Sequence, residues 1–561
     1  MELSNSKYWI WPDEAPQAIK ENLSTFSALE QQLLFRRQIY SEQEAIAFLH
    51  HHMIPENDPY LLKHMRKAVE RILLARKQNE QVVVYGDYDA DGITATTVLM
   101  EALREVGISP TYYIPDRMTE GYGLHQDALA ELFELGATLI ITVDCGIRAL
   151  EEAKFATEVG LDIIVTDHHA PGPDLPDVVA IINPKQEDDP YPFKGLAGVG
   201  LAYKLSQAIM KTIGKEPKED LLELVAIGTI ADLAPLREEN RQLVTMGLEK
   251  MNQTKRMGLK ALIEVARVDN RVITADTIGF VIGPRINAAG RLEDAGSAVE
   301  LLLTHKPAEA KSLALHLDEI NRRRQRLTGV IVEKARQQVY ESKPLSSLIF
   351  AAHEEFHEGI VGLAASRLSD EFFRPAIVAT LGDEFTRGSA RSIPGFHITH
   401  AFDKCADLLV QYGGHSAAAG FTVRTSDLDQ FKNNLELVAT RALETIDSEP
   451  SIEIDAEASF KEIDSDLLSF VESLQPCGIG NPAPLFGSKN INVVSKRCVG
   501  KNKNHLKLML KGNGRLFDAI AFRKGSIFDE LPDTIDLVYR IERNIYMGYE
   551  NIQLNVQEIR W

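Results

Sequence analysis

The sequence runs to 561 residues, 44% hydrophobic and 25% charged, with a formal net charge of −20. That length exceeds one ordinary core and predicts about three or four domains, and the composition excludes collagen-like and low-complexity classes. The acidity disfavours a sequence-independent coat for duplex DNA, whose affinity would come from Lys and Arg. It leaves room for an enzyme that threads one strand along a local basic groove, because a carboxylate-rich metal site carries negative charge that its own cations neutralise.

The chain opens MELSNSKYWIWPDEAPQ, acidic and aromatic where a secretory leader is basic and apolar. No run reaches the roughly 18 apolar residues of a membrane span, so neither a leader nor a membrane partner is expected. After an N-terminal segment (1–45), residues 46–300 read as an α/β domain. Its strands are predicted at Val82–Tyr85, Thr111–Ile114, Leu139–Val143, Asp162–Thr166 and Val178–Ile182, with helical periodicity over Gly92–Val106, His125–Leu135 and Ile147–Val159. Strands alternating with helices predict a parallel sheet covered on both faces. Over 301–342, Leu313, Leu317, Ile320, Leu327 and Ile331 recur at helical spacing behind Pro307, which predicts one long connecting helix. A second, smaller α/β region covers 343–447. From 448 to 561 the texture turns strand-rich, as in an OB-fold β-barrel. Cys145, Cys405, Cys477 and Cys498 form no CxxC pair. A disulfide framework and a structural zinc are therefore not indicated, and a reducing cytoplasm is the expected compartment.

Asp87, Asp89 and Asp91 directly follow the first strand, where open α/β sheets place their ligands. Three crowded carboxylates repel unless protonated or bound to cations. The pattern DYDADG also opens an EF-hand loop, but the twelfth position is Val98 where that loop needs Glu, and a strand precedes it. Asp144 (ITVDCG) and Asp167-His168-His169 (IVTDHH) follow two further strands, and Asp232 (GTIADLAPL) follows the apolar run Leu221–Ile230, read as another strand. One Asp after a strand is as readily a helix N-cap; four such ends on one sheet converge on one edge. Asp89, Asp91, Asp144, His168 and Asp232 would balance two divalent cations, and this oxygen-dominated set suits Mn²⁺ or Mg²⁺. Two such ions activate a water and stabilise an in-line phosphoryl displacement. Neighbouring residues leaving a strand diverge, so His168 is assigned to the metal and His169 to its surroundings or the scissile phosphate. Tyr112, Tyr113 and Tyr122 are candidates to stack bases, with one of the first two packed in the core.

GDYDADGIT, ITVDCG, VTDHH and ADLAPL resemble the successive motifs of the DHH phosphoesterase superfamily. YIPDRMTEGYGL, GPRINAAGRLEDA, FHEGIVGLAASRL, GSARS and GGHSAAAG are similar specifically to the RecJ family of bacterial single-strand exonucleases, in the same order along essentially the whole chain. The resemblance implies a DHH domain, a long helix, a DHH-associated domain and an OB-fold. It implies hydrolysis of single-stranded DNA from the 5′ end, dependent on Mn²⁺ or Mg²⁺ and releasing 5′-mononucleotides, in recombination and repair. It places metals on Asp89, Asp91, Asp144, His168 and Asp232, with Asp144 bridging. Relatives carry a histidine two residues before Asp87, where this chain has Tyr85, so Asp87 or a water takes that ligand's place. Arg117, Arg291, Arg391 and Ser389 resemble a pocket for the 5′-phosphate, which arginine forks suit, and His415 and Ser416 are implied contacts to the scissile phosphate. Single-strand-binding protein and a RecQ-type helicase are the implied partners, and a monomer is expected. Cyclic-dinucleotide phosphodiesterases and pyrophosphatases of the superfamily share the metal motifs; the C-terminal β-rich region and GPRINAAGRL favour a polymer. A non-catalytic strand-binding scaffold would have no use for five convergent ligands.

Overall fold

The Val- and Ile-rich runs become a five-stranded parallel sheet in the computed structural model, which describes residues 7–50, 56–269, 272–341, 345–446, 449–546 and 548–561. Positions 342–343 and 447–448, where the sequence sets two domain boundaries, lie outside the described residues. Contacts divide the chain into two compact units, one of residues 57–234 and 246–448, the other of 1–56, 235–245 and 449–561.

In the first unit the chain forms β1 (Gln81–Tyr85), α1 (Ala90–Glu105), β2 (Thr111–Tyr113), α2 (Gln126–Glu134), β3 (Ala137–Val143), α3 (Leu150–Val159), β4 (Asp162–Thr166) and β5 (Ala180–Ile182). The strand order is β2-β1-β3-β4-β5, all parallel. Val83, Tyr85, Ile140 and Ile163 bury one face against Leu129 and Leu132 of α2 and Ala156 of α3. The other face is covered by α1 and by α4 (Gly198–Thr212). Connections therefore leave β1 and β3 toward opposite faces, which opens a crevice between their carboxyl ends, the usual ligand position in such sheets.

One expectation is corrected. The run Leu221–Ile230 is not a strand but helix α5 (Leu221–Ala231), packed on α1 and buried nearly all round. A helix apolar on every side has no period to separate it from a buried strand, and its eleven residues point to the helix. Asp232 therefore caps the C-terminus of α5 instead of ending a strand.

Next come α6 (Gly283–Leu292) and the long helix α7 (Pro307–Glu341), whose 35 residues span about 52 Å. Ala310, Ala314, Leu317, Ile320, Ile331, Ala335 and Val339 form its buried stripe, which packs on α6 and then on β6 (Ile349–His353) and α8 (Glu358–Phe372). The smaller region adds β7 (Ala376–Thr380), β8 (Phe385–Arg391), β9 (Leu409–Gly414), β10 (Ala418–Arg424) and α9 (Leu428–Leu443), in sheet order β9-β10-β8-β7-β6. Only β6 and β7 are parallel.

In the second unit, β11 (Phe486–Val499), β12 (His505–Gly512), β13 (Arg515–Ala521), β14 (Thr534–Tyr546) and β15 (Tyr549–Arg560) close into a barrel in the order β11-β12-β13-β15-β14-β11. The fourteen-residue β11 shifts register against both neighbours, the bends that let one strand serve two partners. Phe460, Phe486 and Tyr539 fill the interior. The Arg241 guanidinium donates to the carbonyls of Ser473, Leu474, Gln475 and Pro476, fastening residues 235–245 into this unit. No helix among the described residues is long and apolar enough to cross a membrane.

Candidate active site

The aspartate run leaves β1 and enters α1. Asp89 is the N-cap of α1, its Oδ1 accepting from the amides of Asp91 (2.8 Å) and Gly92 (3.1 Å). Asp91, in the first turn, reaches across to the N-terminus of α4, accepting from Gly198 (2.7 Å) and Val199 (2.8 Å). Backbone amides at helix starts thus fix both carboxylates before any ion is considered. The approach is so close that a Cβ at Gly198 would lie 2.7 Å from Cβ of Asp144.

Asp144 follows β3 with φ +63°, a left-handed backbone that costs a non-glycine residue about 1–3 kcal/mol. Its amide donates to Thr166 O (3.0 Å) and its carbonyl accepts from the Tyr122 hydroxyl (2.9 Å). Those two bonds aim the carboxylate into the crevice. His168 Nε2 lies 3.0 Å from Asp144 Oδ1 and 3.9 Å from Asp91 Oδ2, and its Nδ1 is 3.8 Å from Asp232 Oδ2. Sequence alternation set His168 and His169 apart, but their ring centroids are 4.4 Å apart. The strand ends at Thr166 and the chain is turning by then, so the alternation no longer applies. His169 Nδ1 sits 2.8 Å from Asp167 Oδ1, 3.0 Å from the Tyr122 hydroxyl and 3.9 Å from Asp144 Oδ1.

Three donor groups result: Asp87, Asp89 and Asp144; Asp144, His168 and His169; and Asp91, His168 and Asp232. All five residues chosen from the sequence, and Asp87, meet at this edge. Burial, then repulsion from neighbouring carboxylates, pushes Asp91 and Asp144 well above the usual carboxylate range, Asp87 to about 8 and Asp232 to about 7. Burial, then the charge of His169, pushes His168 down to about 3, so its imidazole is neutral and free to ligate. Asp87 Oδ1 and Asp144 Oδ1 are buried without a hydrogen-bond partner. Unpaired buried oxygens on carboxylates that resist ionising fit a pair of divalent cations.

Burial opposes the charge on Asp167, but bonds from His169 and the Ile147 amide outweigh it and hold this carboxyl below its ordinary range. An ionised carboxylate only accepts, so His169 carries its proton on Nδ1, which leaves Nε2 for another partner. Asp167 and the Tyr122 hydroxyl are partners that motif reading did not assign. Asn287, whose side chain accepts from the Ala90 amide at 2.7 Å, is another. Asp167 stands in the quoted motif IVTDHH, but nothing in the spacing of GYGL marks a hydroxyl aimed at a carbonyl 22 residues away. Of the candidate stacking residues, Tyr113 packs on Tyr85 with centroids 5.1 Å apart, and Tyr112 donates to Glu300 (2.7 Å).

A groove of ≈ 830 Å³ runs from this edge to the smaller sheet, lined by Arg117, Tyr122 and His169 on one wall and by Ser389, Gly413 and His415 on the other. Arg391 Nη1 donates to Ser389 Oγ (2.9 Å) behind that wall, Arg117 stacks over Tyr88 at 4.9 Å, and Arg291 Nη1 reaches Gly359 O at 3.4 Å. Burial, then Arg117, Arg324 and Arg391, pushes Arg291 down to about 9 against the attraction of Asp89. Ser416 does not line the groove; it sits exposed on the β9–β10 turn, its carbonyl accepting from the Ile398 amide.

Family models match in three places: the N-terminal domain of the DHH family over residues 81–229, the DHHA1 domain over 345–441 and the RecJ OB domain over 454–558. The chain is 41% identical over 530 residues to the single-stranded-DNA-specific exonuclease RecJ of Bacillus subtilis (strain 168), covering 94% of this chain and 67% of that one. It is 35% identical to the Escherichia coli (strain K12) protein of the same name, covering 89% and 90%. The crystal structure of RecJ in complex with Mn²⁺ from Thermus thermophilus superimposes with a TM-score of 0.84 at 29% identity, over 100% of this chain and 80% of that one.

Proposed function

Because this chain belongs to the RecJ family of single-stranded-DNA-specific exonucleases, we propose that its carboxylate edge is a two-cation centre that removes 5′-mononucleotides from the 5′ end of single-stranded DNA. The observation that carries this reading is the meeting of Asp87, Asp89, Asp91, Asp144, His168 and Asp232 around unpaired buried oxygens, at the mouth of a groove with arginines beside it. Two bound Mn²⁺ or Mg²⁺ ions would supply a water of lowered pKa and charge on both oxygens of the displacement.

The residues divide the remaining work. The family resemblance assigns Asp144 as the bridge; Asp87 and Asp89, grouped with Asp144, would hold one ion, and Asp91, His168 and Asp232 the other. His169, oriented by Asp167, offers Nε2 to the scissile phosphate. Arg117, Arg291, Arg391 and Ser389 hold the terminal phosphate and set the reading direction, because a chain end anchored there leaves one phosphodiester at the ions. His415, at the groove wall, and Ser416, beside it on the turn, contact the strand opposite the ions. A reducing cytoplasm, read from cysteine usage, keeps the four free cysteines reduced; work in recombination and repair, action as a monomer, and single-strand-binding protein and a RecQ-type helicase as partners complete the reading on the family resemblance.

Arg391→Ala tests the end pocket. On a 5′-phosphorylated strand it is expected to slow the first cut about 10- to 100-fold, the effect of one charge-assisted hydrogen bond, and to leave a 5′-hydroxyl strand nearly unchanged. Equal slowing on both strands in single-turnover assays would remove the phosphate-pocket assignment.

A further inference from the structure

The guanidinium cluster continues past Arg291. Helices α6, α7 and α8 pack on one another, and Arg324 of α7 lies close enough to Arg291 of α6 and to the exposed Arg367 of α8 for their charges to repel. Arg324 is half-buried and its Nε is enclosed without a hydrogen-bond partner. On the α8 side, Arg291 bonds to the Gly359 carbonyl, and the Cβ position of Gly362 is 3.1 Å from both Arg391 Nη2 and Ser389 Oγ, so the junction adjoins the terminal-phosphate residues. Burial and mutual repulsion depress both Arg291 and Arg324, the latter through Arg367 and Arg285. Arg285 is neutralised by Asp318 at 2.9 Å. Among the described residues Arg117, Arg291, Arg324, Arg367 and Arg391 have no carboxylate partner, in a chain whose net charge is −20.

Arg324 and Arg367 lie beyond the three arginines read as the pocket for a terminal phosphate, whose charge is about −1.5 to −2 at pH 7. We propose that Arg324 and Arg367 form a second anion subsite behind the 5′-phosphate pocket, which takes the outer phosphates of strands ending in a 5′-di- or triphosphate. The inference rests on reading Arg117, Arg291 and Arg391 as the end pocket. The reaction itself is unchanged. Water forms a bond to the phosphorus of the first phosphodiester, the P–O3′ bond breaks and the 3′-oxygen takes a proton. The product is an intact nucleoside 5′-triphosphate plus a strand with a new 5′-phosphate. De novo polymerase initiation is the class of reaction that supplies such ends.

The test compares single-turnover first cuts, in Mn²⁺, on one DNA sequence carrying either a 5′-monophosphate or a 5′-triphosphate. The wild type is expected to release the nucleoside triphosphate from the second strand. Arg324→Ala is expected to keep the monophosphate rate within about twofold and to lose about tenfold or more on the triphosphate, with Arg324→Lys between. Retained monophosphate cutting reports that each variant is folded. A wild type that cuts the monophosphate strand but stalls on the triphosphate would overturn the subsite, as would an Arg324→Ala variant slowed equally on both. No cutting of the monophosphate strand by the wild type would overturn the end-pocket reading and the subsite with it.

Discussion

Asp144→Asn is expected to lower hydrolysis of single-stranded DNA by on the order of 10³-fold or more, because a bridging carboxylate organises Lewis-acid stabilisation worth several kcal/mol. Asparagine is the sharper replacement. It keeps the shape, and it tolerates the left-handed backbone that Asp144 adopts at φ +63°. Alanine there is expected to abolish turnover too, with added backbone strain. The Asn variant retains the Tyr122–carbonyl and Thr166 bonds, so fold and DNA binding in a chelator should persist, as read by fluorescence anisotropy. Turnover near the wild-type rate would contradict the bridging assignment.

Chelating the divalent ions is expected to abolish hydrolysis and to make stability fall with pH in a defined window. Asp87 and Asp232 are raised to about 8 and about 7 in the folded protein, whereas an unfolded chain releases these protons near pH 4. Between roughly pH 4 and 8 the folded state therefore binds more protons than the unfolded one, and stability declines as pH rises. Below that window these two carboxyls are protonated in both states and their contribution to the dependence vanishes. Saturating Mn²⁺ replaces those protons, flattens the decline and raises the melting temperature; at a hundredfold excess over Kd binding contributes about 2.7 kcal/mol. Melting curves across pH with and without Mn²⁺ check this, and identical curves would mean that the carboxylates do not hold the ion.

Much of this was legible in the residues because strand-end placement and carboxylate crowding are local. Val82–Tyr85 followed by Asp87, Asp89 and Asp91 needs only the rule that parallel strands present ligands at their carboxyl ends. Asp232 reaches the same edge from a helix end instead of the expected strand end, since LLELVAIGTIA has no period that separates a buried helix from a buried strand. The division of labour between His168 and His169 depends on a turn beginning at Asp167, which strand alternation does not describe. Tyr122 and Asn287 act across 22 and 197 residues of sequence, separations that no local pattern encodes. Arg324 lay in view within NRRRQR, where a charge run on a helix reads as a solvated face; only the packing of three helices shows which of its arginines is enclosed.

End-anchored cutting at two cations is tested most directly by product release from one single-stranded sequence supplied as a 5′-phosphorylated linear strand and as a covalently closed circle, in Mn²⁺. Mononucleotides carrying the 5′-terminal label first from the linear strand, with the circle intact, are the expected result. A circle cut as fast as the linear strand, or a label released last, would contradict an end-anchored two-cation exonuclease.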